Sequence, residues 1–156
     1  MTAQAVDFPP IEELIPHRGA MLWIERLVSA SDESVEAAAN VPAGAWYLDG
    51  EGAMPAWLGI ELMAQTVSAH VGWNSRLAGK PLKPGVLLGC RAYRASASAF
   101  PRAAALRITA RLSYKDESGF AAYDCAIRSH CGLAASATLK VYEPADFDAF
   151  LKSVIA

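Results

Sequence analysis

The chain has 156 residues, 53% hydrophobic and 19% charged, which suits a globular domain with a real core and excludes a disordered chain. Its formal net charge of −2 lends no support to nucleic-acid binding. The opening Met-Thr-Ala-Gln-Ala-Val-Asp lacks a basic start followed by an apolar block, so no signal peptide is expected. Cys90, Cys125 and Cys131 are odd in number and show no metal-like spacing. They read as reduced thiols of a cytoplasmic protein, each packed as a small buried hydrophobe.

Residues 8–15 predict a short helix or turn entered through prolines, leading to Pro16-His-Arg-Gly19. Met21 to Ser29 predicts a strand, Asp32-Glu33 a turn, and Ser34 to Val41 a second strand. A loop carrying Pro42, Gly44, Gly50 and Gly52 then delivers the chain to a long apolar stretch from Met54 to Trp73. That stretch predicts a helix ending near Arg76 to Gly79, with Lys80 to Gly85 as connector. Four strands follow: Val86 to Ser96, Ala104 to Tyr114, Phe120 to Ser129 and Leu133 to Tyr142, the middle pair joined through a hairpin at Lys115 to Gly119. Pro144 stops the sheet, and Asp146 to Ile155 predicts a short amphipathic helix. No repeat, low-complexity tract or linker divides the chain. The expected architecture is a single α+β domain over residues 1–156. In it, one antiparallel sheet of about five or six strands wraps around one long central helix and leaves its other face solvated.

The helix carries the chemistry. Pro55 supplies the fixed φ that suits a first helical turn. Trp57, Leu58, Ile60, Leu62, Met63, Ala64, Val67, Ala69 and Val71 point in every direction at helical spacing, which predicts a helix enclosed by protein on all sides. Glu61, Gln65, Thr66, Ser68 and His70 interrupt the run, so it does not read as a membrane span. Glu61 and Gln65 share one face, with Trp57 below and Ser68 above. A carboxylate there is costly to bury without a partner. An apolar setting favours the protonated form of a carboxyl group, which suits an acid. Between Glu61 and Asp116 there is no acidic residue, while Arg76, Lys80, Lys83, Arg91, Arg94, Arg102, Arg107, Arg111 and Lys115 fall in between. Such asymmetry either steers an acidic partner to one surface or forms a solvated strand face balanced elsewhere.

Three motifs are familiar together. Pro16-His-Arg-Gly-Ala-Met-Leu-Trp-Ile-Glu-Arg26, Met54-Pro-Ala-Trp-Leu-Gly-Ile-Glu-Leu-Met-Ala-Gln65 and Gly85-Val-Leu-Leu-Gly-Cys-Arg91 resemble the hot-dog-fold 3-hydroxyacyl-[acyl carrier protein] dehydratases. The resemblance is closest to a divergent branch encoded with aryl-polyene pigment synthesis genes. It covers residues 14–94 well and the C-terminal strands by pattern. It implies a hot-dog fold, a dimer with acyl tunnels at the interface, and removal of water from 3-hydroxyacyl thioesters in fatty-acid or polyene-type synthesis. The implied partners are an acyl carrier protein and a second hot-dog chain, identical or not, with no nucleic acid and no membrane. No cofactor or metal is implied beyond the carrier's phosphopantetheine. In the family a histidine before the helix removes the α-proton. The helix glutamate of the other subunit assists departure of the hydroxyl, and a backbone N–H near the next strand polarises the thioester carbonyl. On this pattern Glu61 matches the glutamate and Gln65 its glutamine, and Gly89 is the candidate carrier of the N–H. Arg91 and Arg94 are candidates for touching the carrier or its phosphopantetheine. Trp57 is a candidate for substrate contact or for the core or interface.

The departure from the family lies at Tyr47. Counting back from Glu61 without a gap puts Tyr47 where the family has its histidine, and Tyr47 to Met54 contains none. A phenol is a poor base at neutral pH, though it can donate a hydrogen bond or act as an acid. His17 is a candidate base or a packing residue of the opening motif. His70 faces away from Glu61, His130 reads as surface, and Asp49 and Glu51 are loop acids that either approach the pocket or do not. Three functions stay open: a dehydratase with a rearranged acid–base pair, a hot-dog thioesterase whose helix carboxylate activates water, and a non-catalytic subunit paired with a complete dehydratase.

Overall fold

A computed structural model of the chain describes residues 6–156, so the residues on which the signal-peptide reading mainly rests lie outside the described ones. Strands β1 (Arg26–Ala30) and β2 (Ser34–Asn40) precede a two-residue strand β3 (Met54–Pro55) and the long helix α1 (Gly59–Leu77). After it come β4 (Val86–Ala95), β5 (Ala99–Phe100), β6 (Ala105–Lys115), β7 (Phe120–Ser129), β8 (Ala134–Tyr142) and α2 (Phe147–Ile155). Six strands form one sheet in the order β1-β2-β6-β7-β8-β4, every pair antiparallel. Helix α1 touches all six of them, which requires the sheet to curl around it.

Alternation decides which face is covered. On β6, Leu106, Ile108 and Ala110 are buried while Arg107, Thr109 and Arg111 stand in solvent. Leu62, Met63 and Val67 of α1 share one apolar cluster with Ile108, Ile127 and Leu139 of the sheet. Full burial of such side chains is worth about 1.5–3 kcal/mol each. Gly72 permits the helix to press on the N-terminal segment: a Cβ there would lie 2.1 Å from the Leu14 carbonyl oxygen. The helix closes as its glycine predicts. Gly79 takes φ +66°, and the Lys80 N–H donates to Ser75 O at 2.8 Å.

Several expectations are corrected. The first strand begins at Arg26 rather than Met21, because residues 19–21 form a 3-10 turn and the Trp23 and Ile24 N–H groups donate to a side chain. Pro55 does not open the α-helix. It pairs with Ala99 in a short β3–β5 ribbon and precedes a 3-10 turn at Ala56–Leu58, after which α1 starts. The helix is also not enclosed all round. Glu61, Ala64, Ser68 and Val71 form a half-buried stripe and Trp57 is 66% exposed, since one sheet covers only one side of a helix. Of the cysteines only Cys125 is buried, its thiol pushed up to about 12 by desolvation; Cys90 is half-buried and Cys131 exposed in the β7–β8 turn. The basic run is dispersed, with Arg76 paired to Glu13 at 2.9 Å and Arg107 to Glu36 at 3.6 Å.

His70 faces away from Glu61, as its angle implied, and is buried in the core. Its Nε2 lies 2.8 Å from Ser31 O and its Nδ1 2.9 Å from the Tyr123 hydroxyl. The consistent tautomer carries the proton on Nε2, donates to Ser31 and accepts from Tyr123. Desolvation holds His70 below the ordinary value of 6.5, with Lys115 adding to the effect and the Ser31 bond and Asp32 opposing it. Above that value both folded and unfolded chains carry a neutral imidazole, and His70 contributes no pH dependence. Below it the unfolded chain binds a proton that the folded one refuses. His70 is therefore expected to cost up to about 1.4 kcal/mol of stability per pH unit as pH falls below 6.5, ending at its lowered folded pKa. Urea midpoints of the protein and of His70→Gln at pH 7.5 and 5.5 check this: the variant should lose less stability on acidification.

Candidate active site

Gln65 organises the site. It is fully buried, and its amide makes four hydrogen bonds. The Trp23 and Ile24 N–H groups donate to Gln65 Oε1 at 2.9 and 3.3 Å. Gln65 Nε2 donates to Met21 O and to Glu61 Oε1, both at 2.8 Å. Two donors on one end and two acceptors on the other fix which end of the amide is oxygen. The side chain thereby staples the opening segment to α1 and holds Glu61, one turn earlier, in a set orientation.

His17 joins this cluster through the same segment. Its Nε2 lies 3.5 Å from Glu61 Oε1, with 28% of the imidazole and 32% of the carboxylate side chain exposed. Glu61 is thus partly exposed and is not sealed in an apolar interior. The segment that carries His17 is tied down by Arg18, whose guanidinium donates to Ile15 O, His17 O and Glu12 O, each at 2.7 Å. Among the described residues no hydrogen bond reaches Glu61 Oε2.

Tyr47 approaches the cluster but does not enter it. Its ring lies 4.4 Å from that of Trp23 and 5.6 Å from that of Trp46, and it lines a cavity of about 320 Å³ with Leu22, Trp23, Glu25 and Asn40. Glu61 does not line that cavity. Desolvation raises the Tyr47 hydroxyl above its ordinary value of 10.0, so at neutral pH it keeps its proton. Gly89 and Arg91 lie on β4, at the opposite edge of the sheet from β1, and take no part in the Glu61 hydrogen bonds. Arg91 and Arg94 are exposed on that strand. His130 accepts the Ala105 N–H at 3.0 Å in the β7–β8 turn. Asp49 accepts the Glu51 and Ala53 N–H groups at 2.9 and 3.0 Å and so shapes its own loop. Sequence reasoning missed Trp23 and the Met21–Ile24 backbone. A glutamine inside an apolar helix was itself the signal, since a buried amide must find partners.

The family model for ApeP-like proteins, described as ApeP dehydratase, matches residues 9–152. The chain belongs to the ApeP-like dehydratase family. Solved structures share its fold. The dehydratase heterocomplex ApeI:P from Xenorhabdus doucetiae contains a chain 26% identical, with a TM-score of 0.88 over 95% of this chain and 99% of that one. A hypothetical thioesterase with coenzyme A from Streptococcus pneumoniae is 15% identical, with a TM-score of 0.59 over 76% of this chain and 84% of the other. Cj0977 from Campylobacter jejuni, a virulence protein, is 11% identical, with a TM-score of 0.67 over 87% and 88%. The last two show the hot-dog fold alone. No curated protein sequence matches the chain. No helix among the described residues is long and apolar enough to cross a membrane.

Proposed function

We propose that the protein removes water from 3-hydroxyacyl thioesters carried on an acyl carrier protein, as one half of a complex with a second hot-dog chain. The observation that carries this reading is Glu61: in a partly exposed side chain one oxygen is held by Gln65, and among the described residues no hydrogen bond reaches the other. In the proposed step a base removes the α-proton, the bond between C3 and its oxygen breaks, and a C2–C3 double bond forms. Glu61 Oε2 delivers a proton to the departing hydroxyl, which leaves as water. Tyr47 keeps its proton, so the α-base comes from the second chain, and Tyr47 serves as an aromatic wall or hydrogen-bond donor beside Trp23. The pairing is supported by the similar dehydratase structure, which is a heterocomplex. It is also supported by the edge strand β4, which leaves Leu87 and Leu88 43% and 49% exposed.

Incubation with a 3-hydroxyacyl carrier protein tests the reading. The chain together with a hot-dog partner bearing the histidine is expected to produce a carrier lighter by one water, and the chain alone much less. Release of free acid would replace the dehydratase reading with a thioesterase.

A further inference from the structure

We infer that His17 is a positioning residue that shares the Glu61 carboxylate with Gln65 in its neutral Nε2–H form, leaving Oε2 as the one working oxygen. This rests on the dehydratase reading and adds the roles of His17 and of the two carboxylate oxygens.

Three observations meet here. His17 Nδ1 is buried and has no hydrogen-bond partner among the described residues. A proton on that nitrogen would be a buried donor with nothing to receive it, the costlier of the two ways to leave a nitrogen unpaired. The proton therefore belongs on Nε2, the nitrogen that faces Glu61 Oε1 at 3.5 Å. That oxygen already accepts from Gln65 Nε2 at 2.8 Å. The Gln65 N–H thus bonds Oε1, the His17 Nε2–H lies beside the same oxygen, and among the described residues no hydrogen bond reaches Oε2. A proton on Oε1 would oppose both donors, whereas a proton on Oε2 opposes neither. The 3.5 Å separation is long for a hydrogen bond, as such contacts often are before a substrate closes the site.

The same geometry keeps His17 from being the missing base. Its proton sits on Nε2, and the nitrogen with the free lone pair, Nδ1, is buried within the chain. Holding the segment rigid matters for this role, and Arg18 does so through three carbonyl groups on the chain around His17.

The first test needs no catalysis. The chain labelled with ¹⁵N-histidine, at a pH where imidazoles are neutral, is expected to show His17 as the Nε2–H tautomer, assigned by the signal that disappears in His17→Gln. The Nδ1–H tautomer would overturn the inference. The second test is kinetic, in the complex that gives turnover. His17→Gln keeps an N–H donor and is expected to retain kcat within about tenfold, while His17→Ala loses about 10- to 100-fold in kcat with KM little changed. Equal and larger losses in both variants would make His17 the base and overturn the assignment. Circular dichroism of the variants identifies any that fails to fold, and the tautomer measurement on the unaltered chain decides in that case. Absence of turnover in every complex would remove the dehydratase reading and leave the tautomer result standing.

Discussion

Glu61→Gln is expected to lower the rate of dehydration by about 10²- to 10⁴-fold while the melting temperature stays within a few degrees. The substitution keeps the shape of the side chain. Its amide oxygen takes the place of Oε1 and still accepts from Gln65 Nε2, and its NH₂ group takes the place of Oε2, which no hydrogen bond reaches among the described residues. What disappears is the acidic proton. The loss should fall on kcat and on kcat/KM alike, since the proton is needed when the hydroxyl departs and not when the acyl chain binds. Product mass measured over time, with a thermal melt alongside, checks both halves. Turnover close to that of the unaltered chain would remove Glu61 from the chemistry.

Gln65→Leu should produce the largest loss of stability, about 3–5 kcal/mol. Leucine fills much of the same space but leaves the Trp23 and Ile24 N–H groups and the Met21 carbonyl without their partner. A buried polar group stripped of its partner costs about 1–3 kcal/mol, and three such groups only partly relax towards solvent. The urea midpoint should fall with little change in slope. Activity should fall as well, because Glu61 loses the donor that orients it. A loss below about 1 kcal/mol would mean that residues 21–24 find other partners and that Gln65 is not the staple.

The same side chain explains why parts of the fold were legible in the sequence and others were not. β6, β7 and β8 alternate or end in glycine turns, so local pattern placed them to within a residue or so. Helix α1 was legible from its apolar spacing, and Glu61 with Gln65 from their separation of one turn. The start of β1 was not, because a glutamine 42 residues further on takes the N–H that a strand would have used. The β3–β5 ribbon joins residues on either side of α1 and leaves no periodic trace in strands this short. The nearness of His17 to Glu61 is of the same kind: the two lie in segments joined only by tertiary packing. Tyr47 could be placed by counting. Its desolvation, which decides what it can do with its proton, follows from the rings of Trp23 and Trp46 around it.

The central claim is that Glu61 works with a base from a second chain. The most direct measurement is single-turnover dehydration by the complex, comparing Glu61→Gln in this chain, substitution of the partner's helix-preceding histidine by asparagine, and both together. The account predicts that each single change abolishes most of the turnover and that the double change costs little more, as for groups acting on one substrate in one site. Turnover that survives loss of the partner's histidine and disappears with Glu61→Gln would contradict the shared site and return the base to this chain.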